Sequence, residues 1–101
     1  MIKRKLRRFE DVQVEHYRKH PEELKTYVEV ALEEYQEDGD EKEFLYSLSM
    51  ATKAAGGFSK LSRHTGLNRA NLYRALSKKK DPRFSTVMSV IQSLGLSLKV
   101  A

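Results

Sequence analysis

Apolar side chains recur along this chain at helical spacing in five places and at strand spacing in one. Pro21 opens the first helix, with Glu22 and Glu23 near its positive end. Leu24, Tyr27, Val28, Ala31, Leu32 and Tyr35 then form a 3.6-residue stripe as far as Glu37, and Gly39 stops it. Asp40 is the expected cap of the second helix, with Glu43 as its reciprocal capping-box partner. Phe44, Leu45, Leu48, Ala51, Thr52 and Ala55 make the inner face of that helix before Gly56 and Gly57 end it, and Phe58 enters the core. Two short helices follow within Ser59–Ser77, which reads SKLSRHTGLNRANLYRALS. Ser59 is expected to cap the first, and Gly66 falls where a left-handed stop is needed. Leu67 plugs the angle between the two helices and Asn68 caps the second, in which Leu72, Ala75 and Leu76 share one buried face. The fifth helix turns Phe84, Val87, Met88, Ile91 and Leu94 inward and ends at Gly95. Leu96, Leu98 and Val100 then alternate with Ser97 and Lys99 as in a strand. A lone strand needs a mate: a second copy, a partner protein, or Val12–Val14. Dimerisation is the simplest solution.

Residues 9–20 are two-sided. Val12 and Val14 alternate with polar neighbours as in a short strand, but a turn followed by a half-helix fits as well. The pattern therefore predicts an all-α, five-helix domain with a short C-terminal edge strand. A basic arm and N-terminal segment occupy residues 1–20, and the helical domain occupies residues 21–101 with its helix-turn-helix at 59–77.

Composition narrows the setting. A chain of 101 residues makes one domain with a modest core. The absence of cysteine excludes disulfides and thiolate metal sites and suits a reducing cytoplasm. No apolar run approaches the roughly 20 residues of a membrane span, and the charged N-terminus lacks the apolar stretch of a signal peptide.

The net charge of +5 hides a segregation of signs. Residues 1–9 hold five basic groups and no acid, residues 10–50 hold four basic and thirteen acidic groups, and residues 51–101 hold ten basic groups against Asp81 alone. Two partners of opposite charge would account for such blocks, as would solvated helix faces.

The chemistry available is that of binding. No serine or carboxylate pair has the spacing of a catalytic constellation, and no glycine-rich phosphate loop occurs, so no enzyme activity and no cofactor are expected. His16 and His20 have the i, i+4 spacing of metal ligands, but no third ligand is visible and no metal site is expected. Behind its leucines the helix after Gly66 shows Arg69, Ala70, Tyr73 and Arg74, which suit base edges in a major groove. Ser59, Lys60, Arg63, Asn68 and Asn71, with Lys78, Lys79 and Lys80 on the following loop, suit phosphates. The competing readings are ordinary ones: Tyr73 packed on the last helix, Arg74 paired with a neighbouring acid, and the lysines merely solvated.

These residues carry a resemblance. Thr65-Gly66-Leu67 at the turn, Leu72-Tyr73-Arg74-Ala75-Leu76-Ser77, Pro82-Arg83-Phe84 and Leu94-Gly95-Leu96 resemble the addiction-module antidote proteins, HigA-like antitoxins with a Cro/cI-type helix-turn-helix. The upstream YVEVALEE, Asp38-Gly39-Asp40 and Phe44-Leu45 are similar to the same family, so the likeness covers residues 24–98. It implies a cytoplasmic homodimer that binds operator DNA, represses its own operon and neutralises a RelE/ParE-type toxin. Glu29, Glu33, Glu34 and Glu37, with Glu22, Glu23 and Asp38, would then face a basic toxin. A stand-alone phage-type repressor, or an interaction module without DNA binding, would use the same helices differently.

Overall fold

The structure is a computed structural model that describes residues 2–77 and 81–96, with side chains from Phe9 onward. Its helices are α1 (Ile2–Lys19), α2 (Pro21–Asp38), α3 (Glu41–Ala54), α4 (Phe58–Thr65), α5 (Arg69–Leu76) and α6 (Phe84–Ser93). There is thus one helix more than the sequence pattern predicts, and no strand among the described residues. The strand expected at 96–100 lies outside the described residues except for Leu96, which packs against the core. None of the described helices is long and apolar enough to cross a membrane.

The additional helix is α1, which overturns the strand reading of Val12 and Val14. Its half-buried positions are Glu10, Gln13, Val14 and Tyr17, spaced three or four apart. Two of the four are polar, so the stripe carries little hydrophobic signal. Val12 lies outside it and is exposed. Polar and aromatic contacts dock the helix instead. The Tyr17 ring lies 5.0 Å from that of Tyr27 on α2, and the Tyr46 hydroxyl of α3 donates to Glu10 Oε1 at 2.7 Å.

Burial, and after it the hydrogen bond to Glu10, push the Tyr46 phenol well above its ordinary range. Raising the folded-state value means that the protonated phenol contributes stability below about pH 10, lost as pH climbs beyond the unfolded-state value. Tyr46→Phe is expected to cost about 1–2 kcal/mol and to speed amide hydrogen exchange in residues 9–19 more than in α3. Exchange rates equal to the parent's would show that Glu10–Tyr46 does not hold α1.

Local chemistry sets most helix ends. Gly39 takes the left-handed conformation at φ 68° and donates to the Tyr35 carbonyl at 2.7 Å. Asp40 Oδ1 accepts the Glu43 amide at 3.2 Å, as expected of a cap. The reciprocal half of the capping box is not made, because Asp38 Oδ1 takes the Asp40 amide at 2.8 Å. The cap of α4 also differs from expectation: Gly57, not Ser59, is the N-cap. Gly56 and Gly57 both have positive φ, and the Gly57 amide returns to the Thr52 carbonyl at 2.9 Å. The chain therefore reverses within two residues and starts α4 at Phe58, leaving Ser59 exposed in its first turn.

The core gathers on α3. Leu48 and Ala51 are fully buried in one cluster with Val28 and Ala31 of α2, Phe58 and Leu61 of α4, Leu72 and Leu76 of α5, and Val90 and Ile91 of α6. The buried polar side chains are satisfied locally: Thr52 Oγ1 donates to the Leu48 carbonyl and Ser47 Oγ to that of Glu43. Two residues of the expected apolar stripes are exposed, Tyr35 at the margin and Phe84 largely. Phe84 is 77% exposed, because α6 turns Val90 and Ile91 inward and its first residue projects past the core.

Candidate nucleic-acid interface

The turn between α4 and α5 is held by its own side chains. Gly66 has φ 74° and donates to the Ser62 carbonyl at 2.9 Å, a backbone conformation that residues with a Cβ seldom adopt. Thr65 Oγ1 donates to the Leu61 carbonyl at 2.8 Å and accepts the Leu67 amide at 3.2 Å, while Ser62 Oγ donates to the Leu67 carbonyl at 2.6 Å. Asn68 then caps α5, its Oδ1 accepting the Asn71 amide at 3.1 Å. Leu67 packs half-buried against the core, as expected of the residue that plugs the angle.

Leu72 and Leu76 are buried completely and fix the rotation of α5 about its axis. At about 100° per residue, the side opposite them carries Ala70, Asn71 and Arg74, all exposed. Arg74 Nη2 donates to Asn71 Oδ1 at 3.3 Å, which holds the guanidinium along this outer face. Arg69 and Tyr73 are exposed but lie toward the flank next to α4. The Tyr73 ring meets Phe58 edge-on at 5.5 Å and remains 55% exposed, so it packs on α4 rather than on the last helix. The four expected base-contact residues thus divide into an outward pair, Ala70 and Arg74, and a flanking pair. Asn71, expected at phosphates, sits beside Arg74 on the side of it away from Ala70.

Of the expected phosphate contacts, Ser59, Lys60, Arg63, Asn68 and Asn71 are all exposed. Lys60 leans away from the turn. Its stem lies against Gly56, where an added Cβ would come within 2.5 Å of its Cδ, and it borders a recess with His64, Ser93 and Leu94. Lys78, Lys79 and Lys80 lie outside the described residues. One cation absent from the expected site joins it: Arg83, with Pro82 and Thr86, lines a recess shared with Asn71 and Arg74. The clue in the sequence was the Pro82-Arg83 pair directly before an apolar stripe, where proline fixes the chain's entry into a helix.

Among the described residues the charges of this face are mostly basic, with Asp81 on the recess that Asn71, Arg74 and Arg83 share. The ion pairs among the described residues all lie where α1 meets α2, joining Glu15 to Arg18 and Lys19 and Glu23 to His16 and His20. None of these involves Arg69 or Arg74; the side chain that holds Arg74 is Asn71, although Asp81 lines the same recess as Arg74. From Ala51 to Lys80 the chain has no acidic residue. Glu29, Glu33, Glu34 and Glu37 are exposed on α2, which packs on α3 and α1. Because α5 packs on α3 and α4, α3 stands between the acidic and basic faces.

Comparison with known proteins matches residues 8–101 to a family model described as "Probable addiction module antidote protein". A protein of Haemophilus influenzae (strain ATCC 51907 / DSM 11121 / KW20 / Rd), described as an uncharacterized protein, is 34% identical over 79 residues, which cover 78% of this chain and 76% of the relative. No solved structure matches the chain.

Proposed function

Because the chain belongs to the family of probable addiction module antidote proteins, we propose that it is a DNA-binding antitoxin that acts in the cytoplasm. In this reading it neutralises a cognate toxin of RelE/ParE type and represses its own operon as a homodimer. The α4–α5 pair is the helix-turn-helix, with α5 in the major groove and α4 across the backbone. Arg74 donates to guanine, Ala70 meets a thymine methyl, and Arg69 and Tyr73 reach bases from the flank. Ser59, Lys60, Arg63, Asn68, Asn71 and Lys78–Lys80 take phosphates. The chain performs no catalysis.

The observation that carries this reading is the solvent-open face of Ala70, Asn71 and Arg74, on a stretch from Ala51 to Lys80 that has no acid, with Asp81 the acid at the edge of the recess beside it. The test is a mobility-shift titration of the DNA upstream of the gene, with and without the product of the adjacent gene. Retardation that the adjacent product alters is the expected result. Retardation indifferent to that product would leave a stand-alone repressor, and no retardation would end the DNA-binding reading.

The toxin surface is assigned to the outward side of α2, where Val30 is exposed among Glu29, Glu33, Glu34 and Glu37. Charges at the rim of an interface contribute modestly, about 0.2–1 kcal/mol each, and mainly through the association rate. Reversing Glu29, Glu33 and Glu34 to lysine together is expected to weaken toxin binding by roughly tenfold and leave DNA binding intact. Unchanged toxin affinity would remove this surface from the proposal.

The second copy is assigned to the apolar recess beside Phe84, lined by Leu32, Tyr35, Phe44, Val87 and Met88. The start of α6 also borders the Arg74 recess, so pairing here would bring the two α5 helices near the interface. Two half-sites about 34 Å apart also require both helices on one side of the dimer. Phe84→Lys is expected to shift the chain toward monomer in sedimentation velocity, and an unchanged dimer would place the contact elsewhere.

A further inference from the structure

We infer that His16, His20 and Glu23 form a binding site for a divalent transition metal of the zinc type, clasping the end of α1 to the start of α2. One donor atom from each residue lies within 4.8 Å of the other two. Glu23 is the third ligand that the sequence hides. It is separated from the histidines by Pro21, but the turn into α2 folds it back beside them. His16 Nε2 stands 2.7 Å from Glu23 Oε2, and His20 Nδ1 stands 3.8 Å from the same oxygen. A tetrahedral centre with bonds of about 2.0–2.2 Å spaces its ligands by roughly 3.3–3.5 Å. The two distances bracket that spacing, so small side-chain adjustments suffice.

The histidines are already arranged on one side of α1. Their rings stack at 4.4 Å with 24° between planes, as the i, i+4 spacing allows. His20 Nδ1 also lies 2.8 Å from the His16 carbonyl. Ligation through Nδ1 would replace that contact and leave the ring's proton on Nε2, free to donate to water. Two imidazoles and one carboxylate suit zinc better than the all-oxygen preference of calcium or magnesium, and leave a fourth position for water. All three side chains are exposed, so nothing blocks entry. Neither α1 nor this end of α2 contributes to the α4–α5 face. The site therefore stands apart from the DNA reading.

The test is isothermal titration of the chelator-stripped full chain with zinc chloride, paired with thermal melts. One zinc ion bound per chain is expected, together with a rise in the melting temperature. His20→Ala and Glu23→Gln should each weaken binding on the order of tenfold or more and abolish the rise, whereas His64→Ala should change neither. Because the substituted side chains are exposed, the variants should keep the parent's circular dichroism. Absence of zinc binding, or binding equally tight in the His20→Ala and Glu23→Gln variants, would overturn the site and leave His16–Glu23 as a plain ion pair.

Discussion

Leu72→Ala is expected to cost about 2–5 kcal/mol of folding stability, more than any other substitution considered for this chain. The side chain is completely enclosed, and it joins α5 to a core built from α2, α3, α4 and α6. Truncation removes the transfer free energy of the lost carbons and leaves a cavity whose walls belong to several helices and cannot all close on it. A domain of this size has about 5–15 kcal/mol in total, and each kilocalorie shifts its midpoint by roughly 4–8 °C. A drop well beyond 8 °C in a thermal melt is therefore the expected result. The same change should weaken DNA binding even below the midpoint, because Leu72 and Leu76 set the rotation that turns Arg74 outward. A loss of less than 1 kcal/mol would mean that α5 is not anchored as described.

Arg74→Ala is expected to act on binding and leave stability close to the parent's. Arg74 is exposed, and its internal partner is the Asn71 side chain. Loss of a bidentate guanine contact costs about 1–3 kcal/mol and relaxes sequence preference at the base pair it reads. The expected outcome is weaker binding to the upstream site with much less loss on scrambled DNA, and reduced discrimination at one position in competition with single-base variants. Arg69→Ala should discriminate less, since Arg69 stands toward the α4 flank. If Arg74→Ala weakened all sequences by the same factor, Arg74 would be a phosphate contact. Asn71 would then be the better candidate for base reading.

The parts of this fold legible in the sequence are those decided within a few residues. Gly39, Asp40, Gly66 and Asn68 act through a positive φ or a single side-chain hydrogen bond to a neighbouring amide, and each stands where its residue type predicts. Likewise Leu72 and Leu76 are buried as their spacing requires. Long-range contacts were less visible. The docked side of α1 includes Glu10 and Gln13, and what makes them inward is Tyr46 thirty-six positions away. Ser59 is a good capping residue, but the two glycines before it allow the helix to start sooner. Phe84 fits an apolar stripe by spacing, yet its position at the first residue of α6 carries it past the core.

The candidate site divides along the same line. Ala70 and Arg74 were evident on the side of α5 away from its leucines. The grouping of Asn71 with Arg74, and the approach of Arg83, depend on how α5 and α6 pack. Glu23 closing on His16 and His20 depends on the angle between α1 and α2, which no local pattern encodes.

The central claim is that the outer face of α5 contacts the DNA upstream of this gene. The most direct measurement is the affinity for that DNA as a function of salt, for the parent chain and for a variant carrying Ala70→Glu and Arg74→Glu. The parent should bind with log affinity falling linearly in log salt, by about 0.9 for each phosphate contacted. The variant should lose specific binding while keeping its fold. Parent binding with no dependence on salt, or a variant that binds the site as tightly as the parent, would contradict the claim.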